Sequence, residues 1–291
     1  MTGPSREDDR CGGAFKRFEE GAWSERAGTY DRVTGQITAD VAEPLLDAAG
    51  VEAGMRVLDV GCGTGVVTAA AAARGARATG VDLAGGMLAV ARERHPELEF
   101  VAADAEALPF RLAAFEGVVA SLVINHLPAP PSAMGEFARV LAPGGRVAIA
   151  VWDRPERTSL FGELTAAVAD AGIDVHDTLP PGPDPYHYAD DDEMRSLLAA
   201  AGLVDVCLAT LELVHRCDDG DALWNGLLGG SARIATVIER QTPKARGRIR
   251  AAFARRVERY EVPGGLELPM AVKLGAARRP CRPSSPSVEG A

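Results

Sequence analysis

The sequence predicts an α/β protein, a mostly parallel sheet covered by helices on both faces, and three observations carry that prediction. Between Val57 and Trp152, short β-type runs alternate with helical stretches, the pattern of strands joined by crossover helices. Each run is continuously apolar, as strands buried on both faces are. The first run leads straight into a glycine-rich turn and then a helix.

Taken in order, residues 1–13 are polar and glycine-containing and read as a loose tail, followed by N-terminal cap helices over 14–50. A core over 51–153 holds strands RVLDV (56–60), RATGVD (77–82), LEFVAAD (98–104), GVVASLV (117–123) and RVAIAVW (146–152). Helices are expected over Val66–Arg74, Met87–Arg94 and Ser132–Leu141, the last stopped by Pro143-Gly144-Gly145. Downstream, Asp190 and Glu193 predict a capping box for a helix that Gly202 ends, and LVDVCLATLELVH follows as a strand. LELPMAVKLG is the last strand. The stretch 218–263 between these two strands exceeds what a hairpin needs and is expected to be a helical cap. Within it Ile249, Phe253, Val257 and Tyr260 recur at helical spacing, leaving Arg248, Arg250, Arg255 and Arg259 for a solvated face. The Pro/Ser-rich stretch 278–291 reads as a second tail, which leaves 14–277 as one domain.

Composition narrows the function classes. Lys and Arg number 31 against 41 Asp and Glu, a net charge of −10, the wrong sign for coating nucleic acid or anionic lipid. No window approaches the roughly 20 apolar residues of a membrane span, and MTGPSREDDR lacks the apolar core of a signal peptide, so a cytoplasmic protein with neither a nucleic-acid nor a membrane partner is expected. The five cysteines are scattered, with no histidine at ligand spacing, and predict neither disulfides nor a metal site.

The segment VLDVGCGTG carries the chemistry. Gly61, Gly63 and Gly65 let the backbone turn sharply and approach a ligand, and the following helix N-terminus offers free N–H groups. A dinucleotide fingerprint would need glycine at position 66, which is valine. Asp82 ends the second strand, where a carboxylate can accept from both hydroxyls of a ribose. Asp104, at the end of the third, is placed to accept from an adenine amine. All three features sit at the strand ends where open α/β sheets bind ligands.

On these residues, with FEGVVASLVINHLP and RVLAPGGRVAIAVW in register, the chain resembles the class I S-adenosylmethionine-dependent methyltransferases, in the branch of ubiquinone/menaquinone-biosynthesis and bacterial natural-product enzymes. The resemblance covers about Tyr30 to Trp152. It implies a Rossmann-like, seven-stranded sheet with an antiparallel final strand, S-adenosyl-L-methionine as cofactor and S-adenosyl-L-homocysteine as product. It also implies that Gly61, Gly63 and Gly65 wrap the methionine part, Asp82 holds the ribose, Leu83 and Met87 flank the adenine, and Asp104 with Ala105 reads its amine. Ser121 would line the cofactor side and Tyr30 would close over the methionine end. Glu116 stands where the family has aspartate, a surface change expected to be harmless.

Several residues carry two readings. His126 can serve as a general base at the rim or merely orient its loop. Tyr186 and Tyr188 face an acceptor pocket or staple the next helix. Phe18, Trp23 and Trp224 form a lid over the acceptor or pack cap helices on the core. Asp59, inside the first strand, is read as structural. The expected function is methyl transfer to O or C of a small, mostly apolar metabolite in bacterial secondary metabolism. A non-methylating cyclisation or rearrangement on the same fold, and a non-catalytic cofactor-binding partner, stand as alternatives, and a homodimer is left open.

Overall fold

The computed structural model describes residues 6–174 and 179–281, with side chains from residue 12 onward. Ten helices and eight strands are described in chain order: α1 Arg6–Arg26, α2 Thr34–Ala48, β1 Arg56–Val60, α3 Val66–Ala73, β2 Arg77–Asp82, α4 Gly85–Arg94, β3 Glu99–Ala102 and β4 Phe115–Ser121. After these come α5 Pro130–Val140, β5 Leu141–Trp152, α6 Ser159–Asp170, α7 Asp191–Ala200, β6 Val204–Cys217, α8 Gly220–Gly230, α9 Arg233–Glu239, α10 Pro243–Val257, β7 Glu261–Val262 and β8 Gly265–Arg278.

The strands line up as β3-β2-β1-β4-β5-β8-β6, with the two-residue β7 paired beside β8. β1 to β5 are mutually parallel, and β8 runs antiparallel to both β5 and β6. The seven-stranded, Rossmann-like sheet with an antiparallel last strand is therefore present, with β7 as a small addition. Alternation along each strand feeds two cores. Val57 and Val119 face a layer built by α2, α6, α8 and α10, whereas Leu58 and Val118 face α5 and α7. Strands that must satisfy both layers have no polar face, which explains their continuous apolar sequence.

Several boundaries depart from expectation for local reasons. α1 begins at Arg6, inside the stretch 1–13 read as a tail. At the other end Arg278 is the last residue of β8, and Arg279 N–H donates to the Gly145 carbonyl, so the chain stays on the sheet past 278; residues 282–291 lie outside the described ones. β5 starts at Leu141, because Pro143-Gly144-Gly145 forms an irregularity within the strand rather than a break before it. β3 stops at Ala102, since Asp104 turns the chain by accepting from Glu106 N at 2.9 Å. Asp190 caps α7 by accepting from Asp192 N and Glu193 N, but Glu193 pairs with His187 at 3.3 Å instead of completing a capping box. The stretch 218–263 is helical over α8, α9 and α10. Glu116 is no idle surface residue: it accepts from Arg56 N at 2.7 Å and pairs with that guanidinium, tying β4 to β1 at the sheet edge remote from the glycine turn. Among the described residues no helix is long and apolar enough to cross a membrane.

Candidate active site

The strand-to-helix turn after β1 is anchored by β2, whose Val81 carbonyl accepts from both Gly61 N (2.8 Å) and Cys62 N (2.9 Å). Gly61, Gly63 and Gly65 all have positive φ, at 69°, 53° and 88°. Their uses differ. A Cβ on Gly61 would meet Val123 at 2.4 Å, and one on Gly65 would press on Phe100 at 3.0 Å, so these two glycines serve packing. Around a Cβ on Gly63 there is open space, the cavity itself.

That cavity, of about 700 Å³, lies over the C-terminal ends of β1, β2 and β4, within the size range of small-molecule sites. Gly61, Gly63, Asp82, Leu83, Met87, Asp104, Ala105 and Ser121 line one part of it, together with Tyr30, Trp23 and His126. Asp82 accepts from Gly63 N and Ala84 N, both at 2.8 Å, one bond per carboxylate oxygen. Each oxygen keeps lone-pair capacity for a further donor. Burial raises the Asp82 carboxyl, an effect those N–H donors oppose. Tyr30 OH shares a 2.8 Å hydrogen bond with Thr38, and burial pushes this phenol up, so it stays neutral.

The structure brings most of the sequence-predicted residues together and sets four apart. Gly65 caps the turn without reaching the cavity. Trp224 is 6% exposed and packs on Phe253 with ring centroids 5.5 Å apart, a core residue rather than a lid. Tyr188 packs edge-on to His187 and against the α5/α7 layer, and Phe18 also lies outside the cavity lining. Tyr186, by contrast, lines the cavity, and burial pushes its hydroxyl up to about 12.

Other participants carry no motif. From α1, Lys16 pairs with Asp104 and Glu106, each at 2.6 Å, so a cation already sits on the carboxylate expected to read an adenine amine. Glu19, on the same helix and 4% exposed, accepts from His126 Nδ1 at 3.0 Å and from Trp23 Nε1 at 2.9 Å. The Trp23 ring stands edge-on to both His126 and Tyr30. On the far side the wall is mainly apolar: Trp152, Phe161, Leu179, Pro185, Ile234 and Val237. The only sequence signal for Glu19 is its register, four residues after Phe15 and three before Ala22, on the face that α1 buries.

Leu122, just past β4, adopts φ +58°, a conformation unusual for a branched residue and of the kind that collects at functional sites. It turns the chain so that Ser121, Asn125 and His126 all reach the cavity. Ser121 Oγ and Asn125 Oδ1 are buried without a partner in the protein, as is Glu19 Oε1. Unpaired buried oxygens cost free energy unless a ligand satisfies them. With Asp82 and the open face of Gly63, they form a donor-seeking wall that fits the hydroxyls and amine of an adenosyl amino acid.

Known proteins agree. The family described as Methyltransferase domain matches residues 58–149. A demethylmenaquinone methyltransferase of Paenarthrobacter aurescens is 30% identical over 189 residues, covering 61% of this chain and 75% of the relative. The biotin biosynthesis bifunctional protein BioHC of Cellvibrio japonicus is 43% identical over 130 residues, 44% of this chain, and the chain spans only 26% of that protein's length. Among solved structures, the YcgJ protein of Bacillus subtilis superposes with a TM-score of 0.53 at 20% identity, covering 82% of this chain and 97% of its own, a likeness of fold. Sheet order, glycine turn and the relative matched over three quarters of its length place the chain in one family: it belongs to the class I S-adenosylmethionine-dependent methyltransferases.

Proposed function

We propose that this chain transfers a methyl group from S-adenosylmethionine to O or C of a small, mostly apolar metabolite. The observation that carries this reading is the composition of one cavity: a polar wall of strand ends and an apolar wall of helices enclose the same space. When bound, the cofactor supplies an electrophilic methyl on a sulfonium centre. The chain's own part is to position and to exclude water. Asp82 would hold the adenosyl group and the turn at Gly63 the methionine part, Ser121 offers a hydrogen-bonding oxygen on the same wall, and Trp152, Phe161 and Val237 would shape the opposite wall for an apolar acceptor. One relative is named for demethylmenaquinone, which supports an apolar acceptor. Incubating the chain with S-adenosylmethionine and a panel of phenols, enols and apolar acids, and measuring S-adenosylhomocysteine by mass spectrometry, tests it. Acceptor-dependent product is expected; adenosyl binding with no transfer to any acceptor would instead favour a binding protein.

A further inference from the structure

We propose that Glu19 is a positioning residue for His126, fixing the imidazole so that Nε2 takes the proton that the acceptor sheds as it receives the methyl. This deepens the function proposed above and rests on it. It narrows the acceptor class to molecules that must lose a proton: phenols, enols and activated C–H acids.

The argument starts from cost. A carboxylate that is 4% exposed is expensive unless hydrogen-bonded. Glu19 Oε2 takes two N–H donors, Trp23 Nε1 from its own helix and His126 Nδ1 from 107 residues away. Anchoring Trp23 needs no histidine, so the second bond points to a use for the imidazole. A carboxylate only accepts, which places the His126 proton on Nδ1 and leaves a lone pair on Nε2. Asn125 Nδ2 lies 3.4 Å from that nitrogen, a long contact that leaves the lone pair open to a stronger donor. The edge of the Trp23 ring, 5.2 Å from the imidazole between centroids and 88° to its plane, restricts ring rotation. His126 and Glu19 both line the cavity, His126 on the turn after β4 and Glu19 on α1.

The electrostatic surroundings suit a group that becomes cationic. Glu19 and Glu20 of α1, Asp82 at the end of β2 and Asp104 after β3 line the same cavity. Of the cations there, Lys16 is taken up by Asp104 and Glu106, and Arg233 lies over the Phe15 ring with one N–H on the Pro183 carbonyl. Tyr30 stands behind Trp23 as a neutral phenol. The step balances: the acceptor's O–H or C–H proton moves to Nε2, a bond forms from acceptor to methyl carbon, and the sulfur keeps the electron pair of the broken S–CH3 bond as a neutral thioether. The imidazolium is then paired with Glu19 until it returns its proton to solvent.

The test is nitrogen-15 NMR of the His126 imidazole in the full chain, with and without S-adenosylhomocysteine, assigned by loss of the signal in His126→Gln. Wild type should carry its neutral-form proton on Nδ1. Glu19→Gln retains an accepting oxygen and should keep that tautomer, whereas Glu19→Leu should move it toward Nε2–H. In turnover of 4-substituted phenols, Glu19→Leu and His126→Gln should each lower kcat at least about 100-fold with KM little changed, and the double variant should fall no further. The loss should shrink as the phenol becomes more acidic. An Nε2–H tautomer in wild type, an unchanged tautomer in Glu19→Leu, or additive losses in the double variant would overturn the proposal. Failure of S-adenosylhomocysteine to bind would instead overturn the methyltransferase activity, and the tautomer measured without ligand separates the two results.

Discussion

The two walls of the cavity are built by different physics. Apart from Glu19 of α1, the polar wall comes from one continuous stretch, residues 60–126, in which each functional group stands at the end of a strand or in the turn that follows. Its geometry is set by backbone: positive φ at Gly61 and Gly63, and main-chain donors on Asp82. The apolar wall is assembled from the end of β5, α6, the segment 179–186 and α9, with α1 closing one side, pieces up to about 200 residues apart that meet through side-chain packing and pairs such as Arg26 with Glu239. A site made by backbone tolerates little change and recurs with a motif. A site made by packing can be rebuilt for another acceptor without disturbing the first.

The sharpest way to break the polar wall is Asp82→Ala. It removes the carboxylate that lines the cavity and leaves the N–H groups of Gly63 and Ala84 without their acceptor. Losing two charge-assisted hydrogen bonds, each about 1.5–3 kcal/mol, should weaken S-adenosylhomocysteine binding by at least about 100-fold. Calorimetric titration measures it, with the melting temperature as the check that the fold survives. Binding within about threefold of wild type would mean that Asp82 only organises the turn.

The converse holds for the packed side. Trp224→Ala removes a large side chain from the layer shared by α8 and α10, where it meets Phe253. Truncations of this kind cost about 3–5 kcal/mol. The melting temperature should fall by about 10 °C, while S-adenosylhomocysteine affinity of the folded protein stays unchanged. A large loss of affinity at preserved stability would return Trp224 to the lid.

The same division explains what could be read from the sequence. Parallel strands buried on both faces, and glycines that must take positive φ, leave local signatures, so β1, β2, β4 and the turn at Gly61 to Gly65 were legible along with the antiparallel last strand that the family resemblance implied. Ends decided by side-chain hydrogen bonds were not: Asp104 looks like the end of a strand but folds back on Glu106. Glu19 left only its register, because nothing in FKRFEEGAW says that one of two adjacent glutamates will be buried against a histidine 107 residues on. For the same reason Phe18 and Trp23, equally aromatic neighbours of Glu19, part ways: Trp23 reaches the cavity and Phe18 does not. α6, which carries Phe161 to the apolar wall of the cavity, has no side-chain cap or motif to announce it.

Asp59 tests how far the backbone-built wall depends on charge. It is 1% exposed within β1, with Thr68 Oγ1 donating to Oδ2 at 2.6 Å and Oδ1 without a partner. Burial pushes this carboxyl up to about 7, against the hydrogen bond from Thr68, and the nearby Asp82 charge adds to the rise. The sign follows from linkage: the folded state holds a proton that the unfolded chain releases near pH 4, so stability is fully present below that pH and drains away as pH climbs through 7. The shift corresponds to a few kcal/mol at most. Wild type should therefore melt at progressively lower temperature from pH 5 to pH 8. Asp59→Asn, which resembles the protonated acid and still accepts from Thr68, should show a shallower slope and overtake wild type at the alkaline end. Parallel slopes in the two proteins would mean that Asp59 is ionised in the fold.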